Sequence, residues 1–111
     1  MVEVRIKKDR DKSVLSMEVI GHASFAELGK DPVCAGASAL AMTAAQCALS
    51  MEEAGRLQKK AHIITRNGRV LVTIKPRPER YDEAAHLFWV VETGLGLLAE
   101  AYPGYLEIQS A

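Results

Sequence analysis

Residues 62–74 read HIITRNGRVLVTI, two apolar runs joined by Asn67-Gly68. Branched apolar residues dominate both runs, which is typical of β-strands. An Asn-Gly pair between two such runs readily supplies the positive φ angles of a type I′ turn. The stretch therefore predicts a β-hairpin with strands over 63–65 and 70–74.

Three further strands are predicted on either side of this hairpin. Apolar and polar residues alternate over 2–6 and again over 15–19, with the polar run 8–12 between them. Such a period of two indicates a second hairpin of half-buried strands. A last strand is expected over 105–109, and the pattern does not give the order of the strands in the sheet.

A helix is predicted over 33–54, with Gly55 as its end. It is apolar almost all round and rich in alanine. A helix of this kind has to be buried on several sides. One sheet and one further helix can hardly cover it, so part of its surface is expected to meet a second subunit.

A second helix follows the 62–74 hairpin and ends at Pro103-Gly104. Its apolar residues recur at spacings of four and three, which gives one stripe that can lie across a sheet. The stripe consists of Ala84, Phe88, Val91, Leu95, Leu98 and Tyr102. Gly94 and Gly96 are unfavourable inside a helix, so they indicate a close backbone approach, expected to be against the sheet.

The predicted order of elements is ββαββαβ, which gives an α/β (α+β-like) fold with a five-stranded mixed sheet and two helices. With 111 residues, 49% of them hydrophobic and 25% charged, residues 1–111 are expected to form a single domain. Fourteen basic residues balance fourteen acidic ones, so no overall positive field attracts nucleic acid. No signal peptide and no uninterrupted membrane span are recognised, which predicts a cytoplasmic protein.

The chemistry of the chain is concentrated in residues 21–38. Asp31 followed by Pro32 is typical of a helix start, where the carboxylate accepts unpaired backbone N–H groups. This register places Cys34 in the first turn, where the helix dipole favours a thiolate. His22 ends a strand, and the connection 23–30 can bring its imidazole over the sulfur. A Cys–His pair for nucleophilic catalysis is therefore predicted.

Two further groups could support this pair. First-turn N–H groups could stabilise an oxyanion, provided that Asp31 does not occupy them all. Ser38 lies one turn after Cys34 and could contact the site or bond back to the helix. Each residue also has a purely structural interpretation: Cys34 as a small buried thiol, Asp31 as a cap that does not orient His22, and Ser38 as a packing residue.

The remaining candidate residues give weaker evidence for other classes of function. Cys47 is about 20 Å further along the same helix than Cys34, on a different face, and is expected to be an inert thiol. His62 and His86 form no recognisable metal pair, so neither a metal nor a cofactor is predicted. Several cationic side chains could bind RNA. Because no aromatic residues alternate with them, they are more typical of a solvated sheet edge. These cations are Arg66, Arg69, Lys75, Arg77 and Arg80. A redox-sensing thiol is a further alternative.

The motifs Gly21-His22-Ala23, Asp31-x-Val33-Cys34-Ala35 and Ser38 resemble the signature of the ribosomal-processing cysteine protease (Prp) family. The resemblance includes the twelve-residue interval from His22 to Cys34, the chain length and the order of the elements. It implies a peptidase that removes the short N-terminal extension of ribosomal protein twenty-seven of the large subunit, a step in ribosome assembly. Cys34 would be the nucleophile and His22 the general base.

The resemblance also implies a homodimer and a peptide site shaped by the loop 23–30. In that loop Ala23, Phe25 and Leu28 would line the site and Gly29 would be a hinge, although Phe25 and Leu28 could equally anchor the loop. Neither a membrane nor direct contact with nucleic acid is required. Pro32 and the slim pair Gly36-Ala37 depart from the usual family pattern, which leaves the preferred cleavage sequence open.

Overall fold

A computed structural model describes residues 1–23, 26–27 and 30–110 of the chain. The element order is the predicted ββαββαβ, with one short 3₁₀ turn, Pro78–Arg80, before the second helix. The bounds are β1 Val2–Asp9, β2 Val14–Ile20, α1 Pro32–Glu53, β3 His62–Arg66, β4 Arg69–Ile74, α2 Tyr81–Ala101 and β5 Leu106–Ser110. The predicted strands and helices are therefore confirmed, with ends that differ by a few residues.

The five strands form one mixed sheet in the order β3-β4-β2-β1-β5. Neighbours pair antiparallel except β1 and β5, which run parallel with Val2 opposite Leu106. β2 and β4 come together although α1 and β3 separate them in the chain. This long-range pairing brings the end of β2, where His22 follows, beside the β3–β4 turn.

The core lies between the helices and one face of the sheet. Strand residues of one alternation are buried there, including Val4, Ile6, Leu15, Met17, Val72 and Ile74. They pack with the buried side of α1 and with Phe88 and Leu95 of α2. The opposite sheet face carries ion pairs: Arg69 contacts Glu18 at 2.7 Å, and Arg5 lies 3.7 Å from the same carboxylate. The helices thus cover one face of the sheet, as the period of two predicts.

The turn at Asn67-Gly68 differs from the predicted type I′. Gly68 has φ +76°. Asn67 does not have positive φ, because Ser13 is the only non-glycine residue with positive φ in the described part of the chain. Positive φ at the second central residue alone is typical of a type II turn. The hairpin prediction is correct, but the predicted turn type is wrong because only Gly68 uses the left-handed region.

Close packing of the two helices explains two glycines. A Cβ on Gly94 would lie 2.8 Å from Leu40 of α1, and one on Gly36 would lie 3.2 Å from Leu98 of α2. The close approach expected at Gly94 is therefore real, but it is made to α1 and not to the sheet. Gly36 makes the same approach from the other helix, which accounts for a small residue there.

The expectation of no uninterrupted membrane span is compatible with α1, because Ser38, Thr43 and Gln46 interrupt its apolar residues. α1 has 22 residues and is apolar enough to cross a membrane by length and composition alone. Core helices of soluble proteins meet the same two criteria. In this fold the buried side of α1, which includes Ala37, Ala41 and Ala44, packs in the core.

Candidate active site

Asp31 organises the start of α1 as a helix cap. Its Oδ1 accepts the N–H groups of Val33 at 2.9 Å and Cys34 at 3.1 Å, and its Oδ2 accepts that of Ala26 at 3.3 Å. The carboxylate is buried, and Pro32 occupies the first turn as predicted. The predicted cap is confirmed, and it holds Cys34 at a fixed point of the helix.

The same cap overturns the predicted oxyanion site at the helix start. Pro32 has no N–H, and those of Val33 and Cys34 are bound by the Asp31 carboxylate. The N–H of Ala35 donates to the Asp31 carbonyl at 3.0 Å. All first-turn donors therefore have partners, so none points freely at a substrate carbonyl.

We expect Asp31→Ala to lower the free energy of unfolding by about 2 kcal/mol, because a buried cap that accepts several N–H groups is lost. Urea unfolding measures this loss. Asp31→Asn is the matched control, since its amide oxygen can still accept the Val33 and Cys34 N–H groups, although its NH2 group cannot accept that of Ala26. Equal losses in both variants would contradict a capping role, since that role requires the asparagine variant to keep most of the stability.

The backbone N–H of Ala23 points at the Cys34 sulfur. The N···Sγ distance is 3.2 Å, and Ala23 is buried. Ala23 was predicted only as part of a substrate loop. Its contact with the sulfur could not be predicted, because nearly every residue type has a backbone N–H. The residue after His22 is therefore held directly against the predicted nucleophile.

His22 itself is exposed and lies on the β3–β4 turn. The Gly21 N–H donates to the Gly68 carbonyl at 2.8 Å, which extends the β2–β4 pairing by one residue. Gly21 has φ +102°, and a Cβ there would lie 2.5 Å from the carbonyl oxygen of Met1. Glycine before His22 is thus required by both conformation and space.

Cys34 separates two depressions of the surface. One is a narrow cavity of about 60 Å³, whose walls include Val2, Val19, Ala37, Val70, Arg66 and Gly68. The other is an open groove lined by Lys30, Pro32 and Ala35. Cys34 and Ser38 line both. The structure therefore brings Ser38 to the site, with the half-buried sulfur reachable from either side.

Three of the predicted site residues, Phe25, Leu28 and Gly29, lie outside the described residues. Cys34 and Cys47 are both free thiols. Among the residues that the structure describes, no group of His, Cys, Asp or Glu side chains could hold a metal ion. His86 packs against the exposed ring of Trp89, with 5.4 Å between ring centroids.

Four of the five cations of the RNA-binding alternative are engaged elsewhere in the structure. Arg69 pairs with Glu18, and Arg80 pairs with Glu83. Arg77 donates to the Gly55 carbonyl at 2.8 Å, and Arg66 lines the narrow cavity beside Cys34. These contacts favour structural and site roles for the arginines over a shared interface with RNA.

Known proteins share this fold over the whole chain. The S. aureus ribosomal processing protease Prp, solved with a covalently linked product peptide, is 25% identical with a TM-score of 0.74, and each chain is covered completely. The same protease solved with a substrate peptide gives 22% identity and a TM-score of 0.70 over all of both chains. A Streptococcus mutans protein gives 24% and 0.66, over 99% of this chain and 93% of its own.

Sequence comparison gives the family. The ribosomal processing cysteine protease Prp of Bacillus subtilis (strain 168) is 50% identical over 40 residues, which span only 36% of either protein. The family model described as cysteine protease Prp matches residues 1–107. Because that match extends over nearly the whole chain, this protein belongs to the Prp family of cysteine proteases.

Proposed function

We propose that the chain is a cysteine endopeptidase that removes the short N-terminal extension of ribosomal protein twenty-seven of the large subunit. Membership of the Prp family supports this activity. So do the names of its relatives in B. subtilis and S. aureus, which are ribosomal processing proteases. The observation that carries the proposal is Cys34, which lies at a capped helix start between two surface depressions with the Ala23 amide at its sulfur.

The two depressions fit an extended peptide that crosses the sulfur. The narrow cavity has both apolar and arginine walls and would take one side chain on one side of the scissile bond. The open groove would take the chain on the other side. An S. aureus relative has been solved with a covalently linked product peptide, as expected when a nucleophile of this class attacks a peptide.

The reaction then follows nucleophilic catalysis. The Cys34 thiolate attacks the peptide carbonyl and forms an S–C bond. As the C–N bond breaks, His22 gives its proton to the leaving amine. Water attacks the resulting thioester, His22 takes a proton from that water, and the S–C bond breaks to release the carboxylate and regenerate the thiolate.

The oxyanion needs a donor other than the helix start, whose N–H groups are already bound. The Ala23 N–H lies 3.2 Å from the sulfur, next to the carbon that the sulfur attacks. Backbone donors at that position stabilise the negative oxygen of a tetrahedral intermediate. We assign this role to Ala23, whose N–H donates to the sulfur and is released for the oxyanion once the sulfur has formed its bond to carbon. We assign to Asp31 the role of holding Cys34 in place.

Cleavage of the precursor tests the proposal directly. The purified chain is incubated with the full-length ribosomal precursor and with a version that lacks the extension, and products are identified by mass. We expect one cut that releases the extension, and no cut in the shortened protein. Absence of cleavage, or cleavage at scattered sites, would overturn the substrate assignment.

Ribosomal precursors are made in the cytoplasm, and we propose that the chain acts there.

We further propose a homodimer formed through the outer surface of the helices. That surface exposes large apolar side chains on both helices: Met42 and Leu49 on α1, and Trp89, Val90 and Leu97 on α2. Met42 and Leu49 are seven residues apart, as are Val90 and Leu97, so each pair lies on one face of its helix. Exposed apolar faces of this kind on a small protein mark interaction surfaces.

Leu97→Glu is expected to convert the dimer to a monomer, because a charge would be buried at the interface. Sedimentation velocity measures the mass in solution. Gln109→Glu is the control, since it adds the same charge at an exposed position of strand β5 in the sheet. A dimer that survives Leu97→Glu would contradict this surface, and a monomeric wild-type chain would contradict the dimer itself.

A further inference from the structure

The imidazole of His22 lies where a side chain on residue 68 would begin. A Cβ built on Gly68 would lie 2.9 Å from Nε2, 3.4 Å from Cε1 and 3.6 Å from Cδ2 of that ring. The first distance is shorter than real Cβ contacts. With a Cβ at residue 68, the exposed ring would therefore have to move away from this place.

The backbone on either side of His22 is also fixed. Before it, the Gly21 N–H donates to the carbonyl of Gly68 itself. After it, the Ala23 N–H donates to Cys34. Ile20 pairs with Arg69 in the β2–β4 ladder. The β3–β4 turn is therefore hydrogen-bonded to the end of β2, directly before His22. The turn thus supports both the ring and the chain that carries it.

We propose that Gly68 is a positioning residue for His22, with the β3–β4 turn as the platform that sets where the imidazole lies relative to the Cys34 sulfur. The inference rests on the proposed role of His22 as general base. It assigns a part of that role to a residue more than forty positions away in the sequence. Catalytic groups need such support, because a displacement of about 1 Å can lower rates about 100-fold.

A simpler explanation is that Gly68 is needed only for its positive φ. The chain contains a control for this explanation in Gly55, which has φ +73° at the end of α1. A Cβ on Gly55 would meet no atom within 4 Å in the part of the chain that the structure describes. Alanine at either position carries the same conformational strain, but only at Gly68 does it collide with His22.

The experiment compares Gly68→Ala, Gly68→Asn and Gly55→Ala. Asparagine tolerates positive φ better than alanine but still has a Cβ. We expect both Gly68 variants to lose about 100-fold in kcat/KM for cleavage of the precursor peptide, and Gly55→Ala to keep wild-type activity. Urea unfolding should show similar stabilities for Gly68→Ala and Gly55→Ala. Wild-type activity in both Gly68 variants would overturn the proposal.

A second measurement connects the effect to His22. The rate of Cys34 alkylation at pH 7, with the adduct located by peptide mapping, is compared in Gly68→Ala, His22→Ala and the double variant. We expect slower alkylation in each single variant and no further slowing in the double variant, because both changes remove the same interaction. Independent, multiplicative effects would contradict a role through His22.

The two proposals can fail separately. If His22→Ala still cleaves the precursor at the wild-type rate, the general base has been assigned wrongly and the role of Gly68 falls with it. If His22→Ala is inactive and Gly68→Ala is fully active, the proposed function stands and only the positioning role is overturned.

Discussion

Cleavage of the ribosomal precursor by Cys34→Ala is expected to fall by on the order of 10⁴-fold or more, because loss of the proposed nucleophile removes the covalent route entirely. The sulfur lines both depressions of the site, and no other thiol is described there. The initial rate of product formation, followed by mass spectrometry or with a fluorogenic peptide, measures the loss.

Cys47→Ala is the matched control. Cys47 belongs to the same helix, is also a half-buried free thiol, and lies thirteen residues further on. It should keep wild-type kcat/KM, apart from any small loss of stability. Comparable inactivation of the two variants would point to damage of α1. Undiminished cleavage by Cys34→Ala would exclude Cys34 as the nucleophile.

His22→Ala is expected to lower kcat by about 10²- to 10⁴-fold, the usual contribution of general acid–base catalysis. In the proposed mechanism the imidazole donates a proton to the leaving amine, and its loss removes that step. Because the peptide would still lie in the two depressions, KM should change little. Steady-state kinetics on the precursor peptide separate the two parameters.

His62→Ala provides the control for the second prediction. His62 is an exposed histidine at the start of β3, at the opposite end of that strand from the β3–β4 turn. Its loss should leave kcat unchanged. A His22→Ala variant with a raised KM and a normal kcat would show that His22 binds substrate without taking part in the chemistry.

Much of the fold could be predicted because it depends on local patterns. The alternation over 2–6 and 15–19, the Asn67-Gly68 turn and the Pro103-Gly104 helix end each act within a few residues. The cap at Asp31 is also local, since its carboxylate reaches N–H groups only two and three positions on. This is why the register of Cys34 in the first turn was predicted correctly.

Features that depend on distant parts of the chain could not be predicted in this way. The β2–β4 pairing decides that Gly68 lies beside His22, and nothing in either local sequence indicates it. The Ala23 donor was missed for the same reason, because a backbone N–H is independent of residue type. At Gly94 the pattern indicated a close approach, but the partner, Leu40, belongs to the other helix.

The parallel pairing of β1 with β5 affects how the site is assembled during folding. Val2, in the wall of the narrow cavity, pairs with Leu106 near the opposite end of the chain. Contacts between residues so far apart in sequence are slow to form, because a long loop has to close first. Until β5 docks, β1 remains an open sheet edge, which is prone to pair with other chains. On the ribosome, therefore, β1 can gain its β5 partner only after residues 106–110 have been synthesised, and protease accessibility of stalled nascent chains would detect this step.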